Sequence, residues 1–236
     1  MKTKRQQQNS DSDHITNHPI TSQEVILQLR KLYGEVKWRP RYDPTTELVF
    51  TILSQHTSDI NSERAFNNLI EHFGTIQNIT DGDIETISQC IKIGGLNHVK
   101  APRIKTVLNR IRQFRPDMDL TFLKQMPLEQ AKAWLQQLPG IGPKSAAVVL
   151  CFSLGMPAMA VDTHVYRVSK RLGLITTSTT ANQAHPILEG LVPPRDVFQF
   201  HTSLITHGRR TCKAINPNCS ECPFAQRCPS SLVNLK

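Results

Sequence analysis

Four cysteines near the C-terminus have the spacing of a metal centre. They follow the pattern C-x6-C-x2-C-x5-C and are Cys212, Cys219, Cys222 and Cys228. Four thiolates this close together can surround one tetrahedral zinc ion or one [4Fe–4S] cluster. Zinc sites usually bring two short C-x2-C pairs, whereas this segment has one such pair and a wide first gap. The spacing therefore favours the cluster over zinc. Cys90 and Cys151 lie in apolar helical surroundings and are predicted core residues.

A second chemical pattern is the stretch "LQQLPGIGPKSAAVVL" from Leu135 to Leu150. It predicts a helix, a tight turn with Gly140 and Gly142, and a second helix with Pro143 in its first turn. Glycines in such a helix–hairpin–helix let a phosphate approach the backbone amides, so the turn would hold DNA without reading its sequence. Leu138 before the turn and Ser145 after it make the pattern more specific. Two glycines alone would also suit a plain connector.

Lys144 follows this turn, where a helix dipole disfavours a cation. The helix N-terminus and partial desolvation would favour the neutral amine, which is the nucleophilic form. A lysine that contacts phosphate is the alternative. Asp162, in "AVDTHVYRVSKRLG", has the position of a helix cap before His164. Its carboxylate could also serve Lys144 as an acid/base or electrostatic partner, although a capping role alone is the simpler interpretation.

The rest of the chain must position these residues, and most of it shows helical patterns. Thr21 with Glu24 predicts a capping box, and Thr180 with Gln183 predicts the start of another helix. Apolar residues repeat at helical spacing in two further segments: Phe66, Leu69, Ile70 and Phe73, and then Ile104, Val107, Leu108, Ile111 and Phe114. Proline and glycine cluster at the junctions, and convincing strand patterns are missing. The sequence predicts an all-α fold of many short helices in one or two layers.

Composition indicates the kind of partner. The chain has 236 residues and a net charge of +9, which favours nucleic acid first and a membrane surface second. No apolar run approaches the roughly 20 residues that a membrane span needs. The N-terminal stretch has basic residues without a following apolar segment, so it does not resemble a secretory signal, and its polarity predicts disorder. We therefore expect a cytoplasmic protein whose cysteines are reduced or bind metal.

Taken together, these motifs resemble the endonuclease III family of DNA glycosylases. The resemblance is carried by "ILSQHTSD", "GGLNHVKAPRI", "LPGIGPKSAAVVL", "VDTHVYRV", "HGRRTC" and the four-cysteine loop, which extend over nearly the whole ordered chain. It implies two helical domains with a DNA cleft between them. The helical barrel domain would cover 42–156, the iron–sulfur cluster domain would join 19–41 to 157–236, and 1–18 would be a disordered polar tail. Lys144 stands at the catalytic lysine of the family and Asp162 at its catalytic aspartate.

The resemblance implies a bifunctional glycosylase and abasic-site lyase of base excision repair, which removes oxidised pyrimidines from double-stranded DNA as a nucleoid-associated monomer and carries a [4Fe–4S] cluster. Uracil or mismatched bases are the alternative substrates. A monofunctional glycosylase and a non-catalytic DNA-binding protein are the alternative classes. The implied DNA contacts are Gln55, His56, Leu138, Gly140, Gly142, Ser145 and His164. His56 stands where the family usually has the glutamine that fills the gap left by the flipped base, and Gln55 lies next to it. Pro143 replaces a residue that is often basic.

Overall fold

A computed structural model describes residues 19–233, and this part of the chain is helical without a strand. The predicted disordered tail, 1–18, lies outside the described residues. Four short 3-10 helices connect parts of the chain, and the α-helices are α1 (Ser22–Tyr33), α2 (Pro44–Ser54), α3 (Asp59–Phe73), α4 (Ile76–Asp81), α5 (Ile84–Cys90), α6 (Asn97–Phe114), α7 (Leu128–Gln136), α8 (Pro143–Leu154), α9 (Thr163–Arg171), α10 (Ala181–Leu191) and α11 (Val197–Arg210). The all-α prediction is confirmed. Within these residues, none of the helices combines the length and apolar character needed to cross a bilayer.

Side-chain caps explain where many of these helices begin. The capping residues are Thr21, Asp43, Ser58, Thr75, Asp83, Asp162 and Thr180, each of which accepts a hydrogen bond from a first-turn amide. Thr180 and Gln183, which predict a helix start, form a complete capping box. At Thr21 only half of the predicted box forms. The Glu24 carboxylate instead accepts two hydrogen bonds from Arg227, at 2.9 and 2.7 Å.

The helices surround two hydrophobic cores. The first is built from α2 to α8 and includes Leu48, Ile52, Leu69, Ile104, Leu108, Leu135 and Leu150. The second joins α1 to α9, α10 and α11 and includes Val25, Leu29, Val165, Val168, Leu188, Phe200 and Leu204. Cys151 is buried in the first core and Cys90 packs against it. Phe114 departs from the predicted buried face: it is 58% exposed and packs against Phe122 and Trp134 at the surface.

One of the connections between the two cores is the extended segment after α8. Ala158 and Ala160 belong to the first core, whereas Met159 and Val161 belong to the second. Alternate residues of an extended chain point to opposite sides, so one short segment can pack against both cores. This segment ends at Asp162, which is therefore held where the two cores meet. The predicted domain boundaries themselves stay a prediction.

Candidate DNA-binding and catalytic site

A cavity of about 570 Å³ lies between the two cores. Residues of the first core line one side and residues of α11 line the other, and Lys144 and Asp162 both reach it. Its size is within the range of about 300–1,000 Å³ that is usual for small-ligand pockets. The two residues that the sequence pairs as nucleophile and partner are thus brought to one cavity, although 18 positions of chain separate them.

Lys144 is the second residue of α8, directly after Pro143, and its side chain is exposed. The partial desolvation that the sequence suggests for its amine stays a prediction. No described side chain caps α8. The amides of its first turn therefore remain available to an outside acceptor such as a phosphate.

Asp162 is the N-cap of α9, as the sequence predicts. The amide of Val165 donates to Asp162 Oδ1 at 2.7 Å, and the side chain is half-buried. One carboxylate oxygen is thereby committed to the helix. The second oxygen has no hydrogen-bond partner among the described residues, so the carboxylate can act in the cavity while it caps α9.

Two buried histidines fix the segment that leads to Asp162. His201 Nδ1 donates to the carbonyl of Ala160 at 2.8 Å, and His185 Nδ1 donates to that of Met159 at 2.7 Å. Burial lowers the pKa of both histidines, so the neutral imidazoles are favoured. Sequence reasoning missed His201, which lines the cavity together with Lys144 and Asp162. A histidine on a helical apolar face gives no signal of such a position.

The two hairpin glycines, Gly140 and Gly142, differ in whether the fold itself requires a glycine at that position. Gly140 has φ +76°, and a Cβ there would collide with the side chain of Arg103. The fold itself therefore requires this glycine. Gly142 has an ordinary φ of −92°, and apart from its two chain neighbours no described residue has an atom within 4 Å of where its Cβ would be. A side chain at Gly142 would fit the protein, so a need for glycine here would have to come from something bound outside the chain.

Gln55 and His56 have distinct surroundings at the end of α2. Gln55 Nε2 donates to the Gly140 carbonyl at 3.0 Å and to Ser145 Oγ at 3.3 Å, and its Oε1 accepts from Arg103 Nη1 at 2.8 Å. The Gln55 amide is therefore tied to the hairpin and to α6. His56 is exposed and has a left-handed φ of +53°. This uncommon conformation for a non-glycine residue directs attention to its side chain.

The other predicted DNA contacts are buried or half-buried. Leu138 is 6% and Ser145 8% exposed, so their side chains face the interior and only their backbone groups could meet DNA readily. His164 is half-buried, lies 3.1 Å from Arg167 Nη2 through its Nδ1, and packs against Gly208. It does not line the cavity.

The four cysteines of the C-terminal loop are brought together around one small cavity beside α9 and α11. All four are free thiols. Arg171 Nη1 lies 3.4 Å from Cys212 Sγ, and Cys228 Sγ donates to the Arg171 carbonyl at 3.1 Å. A guanidinium beside the thiols would offset the negative charge of thiolate ligands. The donor set therefore fits a cluster held by four cysteines. Such a cluster, when bound, would cross-link the loop.

The loop is also tied to the rest of the second core. Arg227 forms a bidentate ion pair with Glu24, which connects the loop to α1. Lys213 is exposed. Among residues 19–233, no three His, Cys, Asp or Glu side chains are placed to hold a single metal ion.

Comparison with known families agrees with this geometry. Residues 49–194 match the HhH-GPD superfamily of base excision DNA repair proteins. Residues 212–228, which begin and end with the outer cysteines of the loop, match the iron–sulfur binding domain of endonuclease III. The fold and the site thus define a helix–hairpin–helix DNA repair protein with an iron–sulfur loop.

Individual relatives narrow the assignment. Endonuclease III of Thermotoga maritima is 35% identical over 190 residues, which are 79% of this chain and 83% of the relative. That of Synechocystis is 34% identical over 210 residues, 88% of this chain and 91% of the relative. A candidate DNA glycosylase of Arabidopsis thaliana is 34% identical over 162 residues, 69% of this chain, and the match spans 55% of that longer protein. The chain belongs to the endonuclease III family.

Solved structures give the same result. A trapped endonuclease III–DNA covalent intermediate superimposes with a TM-score of 0.78 at 27% identity, over 92% of this chain and all 100% of the other. A non-covalent endonuclease III–DNA complex superimposes with a TM-score of 0.77. The chain is a DNA-binding base excision repair glycosylase with an iron–sulfur cluster, [4Fe–4S] by the convention of its family. The sequence prediction of a cluster rather than zinc is confirmed.

Proposed function

We propose that this chain is a bifunctional glycosylase and abasic-site lyase that acts on damaged bases in double-stranded DNA as a monomer. The observation that carries the proposal is the meeting of Lys144 and Asp162 in one cavity beside a hairpin whose helix N-terminus is uncapped. A nucleophile, a carboxylate and a phosphate-binding end are thereby available to one extruded nucleotide. The covalent DNA intermediate of the structural relative supports the same chemistry.

In the proposed reaction, the damaged nucleotide leaves the base stack and its sugar enters the cavity. The neutral amine of Lys144 forms a bond to the sugar C1′ while the bond from C1′ to the base breaks, and the base departs with that electron pair and a proton. The Asp162 carboxylate stabilises positive charge that develops on the sugar. Opening of the sugar gives a Schiff base, which makes the 2′ proton acidic. Loss of that proton expels the 3′ phosphate by β-elimination.

Bound DNA has a specific task in this scheme. Lys144 is an exposed residue in the protein alone, and bound DNA would exclude water from the cavity that it lines. Desolvation disfavours the ammonium form and so favours the nucleophile.

The surroundings of Gln55 and His56 indicate which of the two residues fills the gap left by the flipped nucleotide. The amide of Gln55 already makes three hydrogen bonds, to Gly140, Ser145 and Arg103. Using it as a wedge would break all three. His56 is exposed on the adjoining position and can enter the duplex without such a loss. We therefore assign the gap-filling role to His56 and a bracing role to Gln55.

Oxidised or ring-saturated pyrimidines are the proposed substrates, because they are the substrates that membership of the family implies. Uracil and mismatched bases are the second candidates. A panel of duplex oligonucleotides, each with one lesion and all four opposite bases, separates these classes. Excision of uracil alone would contradict the first choice. An opposite-base profile unchanged in His56→Ala would contradict the role of His56.

Borohydride trapping on abasic duplex DNA tests the central proposal. The wild-type protein should form a covalent adduct and cleave the strand, whereas Lys144→Gln should do neither but still bind. Lys124→Gln is a matched control, since Lys124 is an exposed lysine away from the cavity. A wild-type protein that excises bases without a trapped adduct would be a monofunctional glycosylase. One that binds without any excision would be a non-catalytic DNA-binding protein.

A further inference from the structure

A fully buried carboxylate supports one wall of the cavity. Glu47 of α2 is 0% exposed, and the Arg41 guanidinium binds it through both carboxylate oxygens. Arg41 Nε donates to Glu47 Oε2 at 2.9 Å, and Nη2 donates to Oε1. A buried ion pair is often no more stable than an apolar pair of similar volume. Stability therefore gives little reason for this arrangement, and its position suggests another.

Arg41 is held in a fixed orientation at the cavity. Its guanidinium lies over the ring of Phe50, 4.4 Å from the centroid, and 5.3 Å from the centroid of Phe152. Its backbone amide donates to the Phe152 carbonyl at 3.2 Å. Arg41, Phe50 and Phe152 all line the cavity that contains Lys144 and Asp162. The pair with Glu47 and the two rings together remove most of the freedom of a long side chain.

The remaining donors of Arg41 are free to bind a ligand. A guanidinium has five N–H groups in a rigid plane, and Glu47 takes those of Nε and one of Nη2. Nη1 has no hydrogen-bond partner among residues 19–233. The Arg41 side chain is 39% exposed, although its partner carboxylate is completely buried. The cavity wall thus presents a charged, oriented donor edge to whatever enters.

An oxygen acceptor is the ligand that such an edge would bind. In an extruded nucleotide, that oxygen belongs to either the base or a phosphate. Phe50 and Phe152, which also line the cavity, favour the base, because their apolar surface suits a flat base better than a charged phosphate. The phosphates also have another binding site, the uncapped N-terminus of α8 at Gly142.

We propose that Arg41, oriented by Glu47, donates a hydrogen bond to a carbonyl oxygen of the extruded base. The inference rests on the glycosylase function proposed above and specifies how that cavity recognises its substrate. It makes pyrimidine lesions, which carry a ring carbonyl, suitable ligands and adenine-type lesions poor ones. Glu47 is then a positioning residue that acts through Arg41.

The test compares two substrates with the same protein variants. The first substrate is a duplex with an oxidised pyrimidine, and the second is the same duplex with an abasic site, which has no base to read. Arg41→Met alone would leave Glu47 buried without its cationic partner, with only the long hydrogen bond from Thr51 at 3.4 Å, and could unfold the chain. The double variant Arg41→Met with Glu47→Met avoids this by replacing the whole pair with apolar side chains. Arg39→Met is the control, since Arg39 is exposed and lies outside the cavity lining.

The double variant should fold, retain its cluster absorbance and lose about 10- to 100-fold in kcat/KM for base excision, the effect of one hydrogen bond to a charged group. Trapping on the abasic duplex should stay within about twofold of wild type. Arg41→Lys should recover little, because a lysine lacks the planar donor edge. Arg39→Met should match wild type on both substrates.

Two results would overturn the inference. Equal losses on both substrates, with a salt dependence reduced by about one phosphate contact, would show that Arg41 binds the DNA backbone. Unchanged excision in the folded double variant would show that Arg41 only neutralises Glu47. Both differ from failure of the proposed function, in which the wild-type protein itself forms no trapped adduct.

Discussion

The N-termini of α8 and α9 have the same backbone geometry and opposite uses. Gly142, the N-cap of α8, has φ −92° and ψ −178°, and Asp162, the N-cap of α9, has φ −89° and ψ −178°. Both helices direct the positive end of their dipole towards the region of the cavity. Asp162 satisfies its own helix through Val165 at 2.7 Å, whereas Gly142 offers no side chain to do so. One end is closed by a carboxylate and the other is left open.

The difference shows how one type of local structure can supply two functions. An uncapped helix end has unsatisfied amides and a positive field, which suit a phosphate. A carboxylate at the same position cancels that field and leaves a negative group for the reaction. The free space around the missing Gly142 side chain supports this view, because nothing in the described protein excludes a capping residue there.

The largest effect is expected when Asp162 loses its charge but keeps its capping hydrogen bond to α9. Asp162→Asn keeps an oxygen that can accept from the Val165 amide, so α9 should remain intact. Loss of the negative charge should slow base excision by about 10²–10³-fold, as loss of one strong electrostatic contact to a transition state does. Single-turnover excision on a lesion duplex measures this. Trapping on a preformed abasic site should fall much less, and an equal loss in both would assign Asp162 to the lyase step as well.

The next largest effect is expected when the open end is converted into a copy of the closed one. Gly142→Asp has the backbone angles and the space to cap α8 as Asp162 caps α9. The new carboxylate would take the amides and repel phosphate, so affinity for abasic duplex DNA should fall by about 10- to 100-fold. Fluorescence anisotropy at several salt concentrations measures this. An affinity equal to that of wild type would place the phosphates elsewhere.

The sequence predicts these two helix ends better than it predicts what surrounds them. Asp162 as a cap and the glycine turn before Lys144 follow from short-range rules, because the partners lie within a few residues. The charge of Lys144 says nothing about its exposure, which depends on packing of the whole chain. The partial desolvation expected of the amine therefore stays a prediction, although the residue itself lines the cavity.

Long-range polar contacts were the least predictable part of the molecule. Glu24 looked like half of a capping box, yet its carboxylate binds Arg227, 203 positions away. Gln55 similarly binds Arg103 and the hairpin. Helical periodicity identifies which faces are buried, but it does not determine which faces meet. Such pairings depend on tertiary packing, which explains why the fold class was predicted correctly while the bracing of the site was not.

A smaller effect separates the two roles of Asp162. Asp162→Ala removes the cap as well as the charge, so it should destabilise the protein by about 1 kcal/mol relative to Asp162→Asn. Both variants should be equally deficient in base excision. Thermal unfolding of the two variants under the same conditions measures the difference. Equal melting temperatures would mean that the hydrogen bond to the Val165 amide contributes nothing to stability and that Asp162 is retained for its charge.

The smallest effect concerns the cap that α8 lacks. Gly142→Ser would add a hydroxyl that can accept from the first-turn amides, where no described side chain does so. Serine is a better N-cap than glycine by only a few tenths of a kcal/mol, so the melting temperature should rise slightly. DNA affinity should fall at the same time, because the hydroxyl and the phosphate compete for the same amides. Gly142→Ala, which adds a side chain without an acceptor, should not gain this stability.

A serine variant that is more stable and binds DNA as well as wild type would show that the open end is merely tolerated. A gain in stability that accompanies a loss of affinity would show that the missing cap is a cost that DNA binding requires.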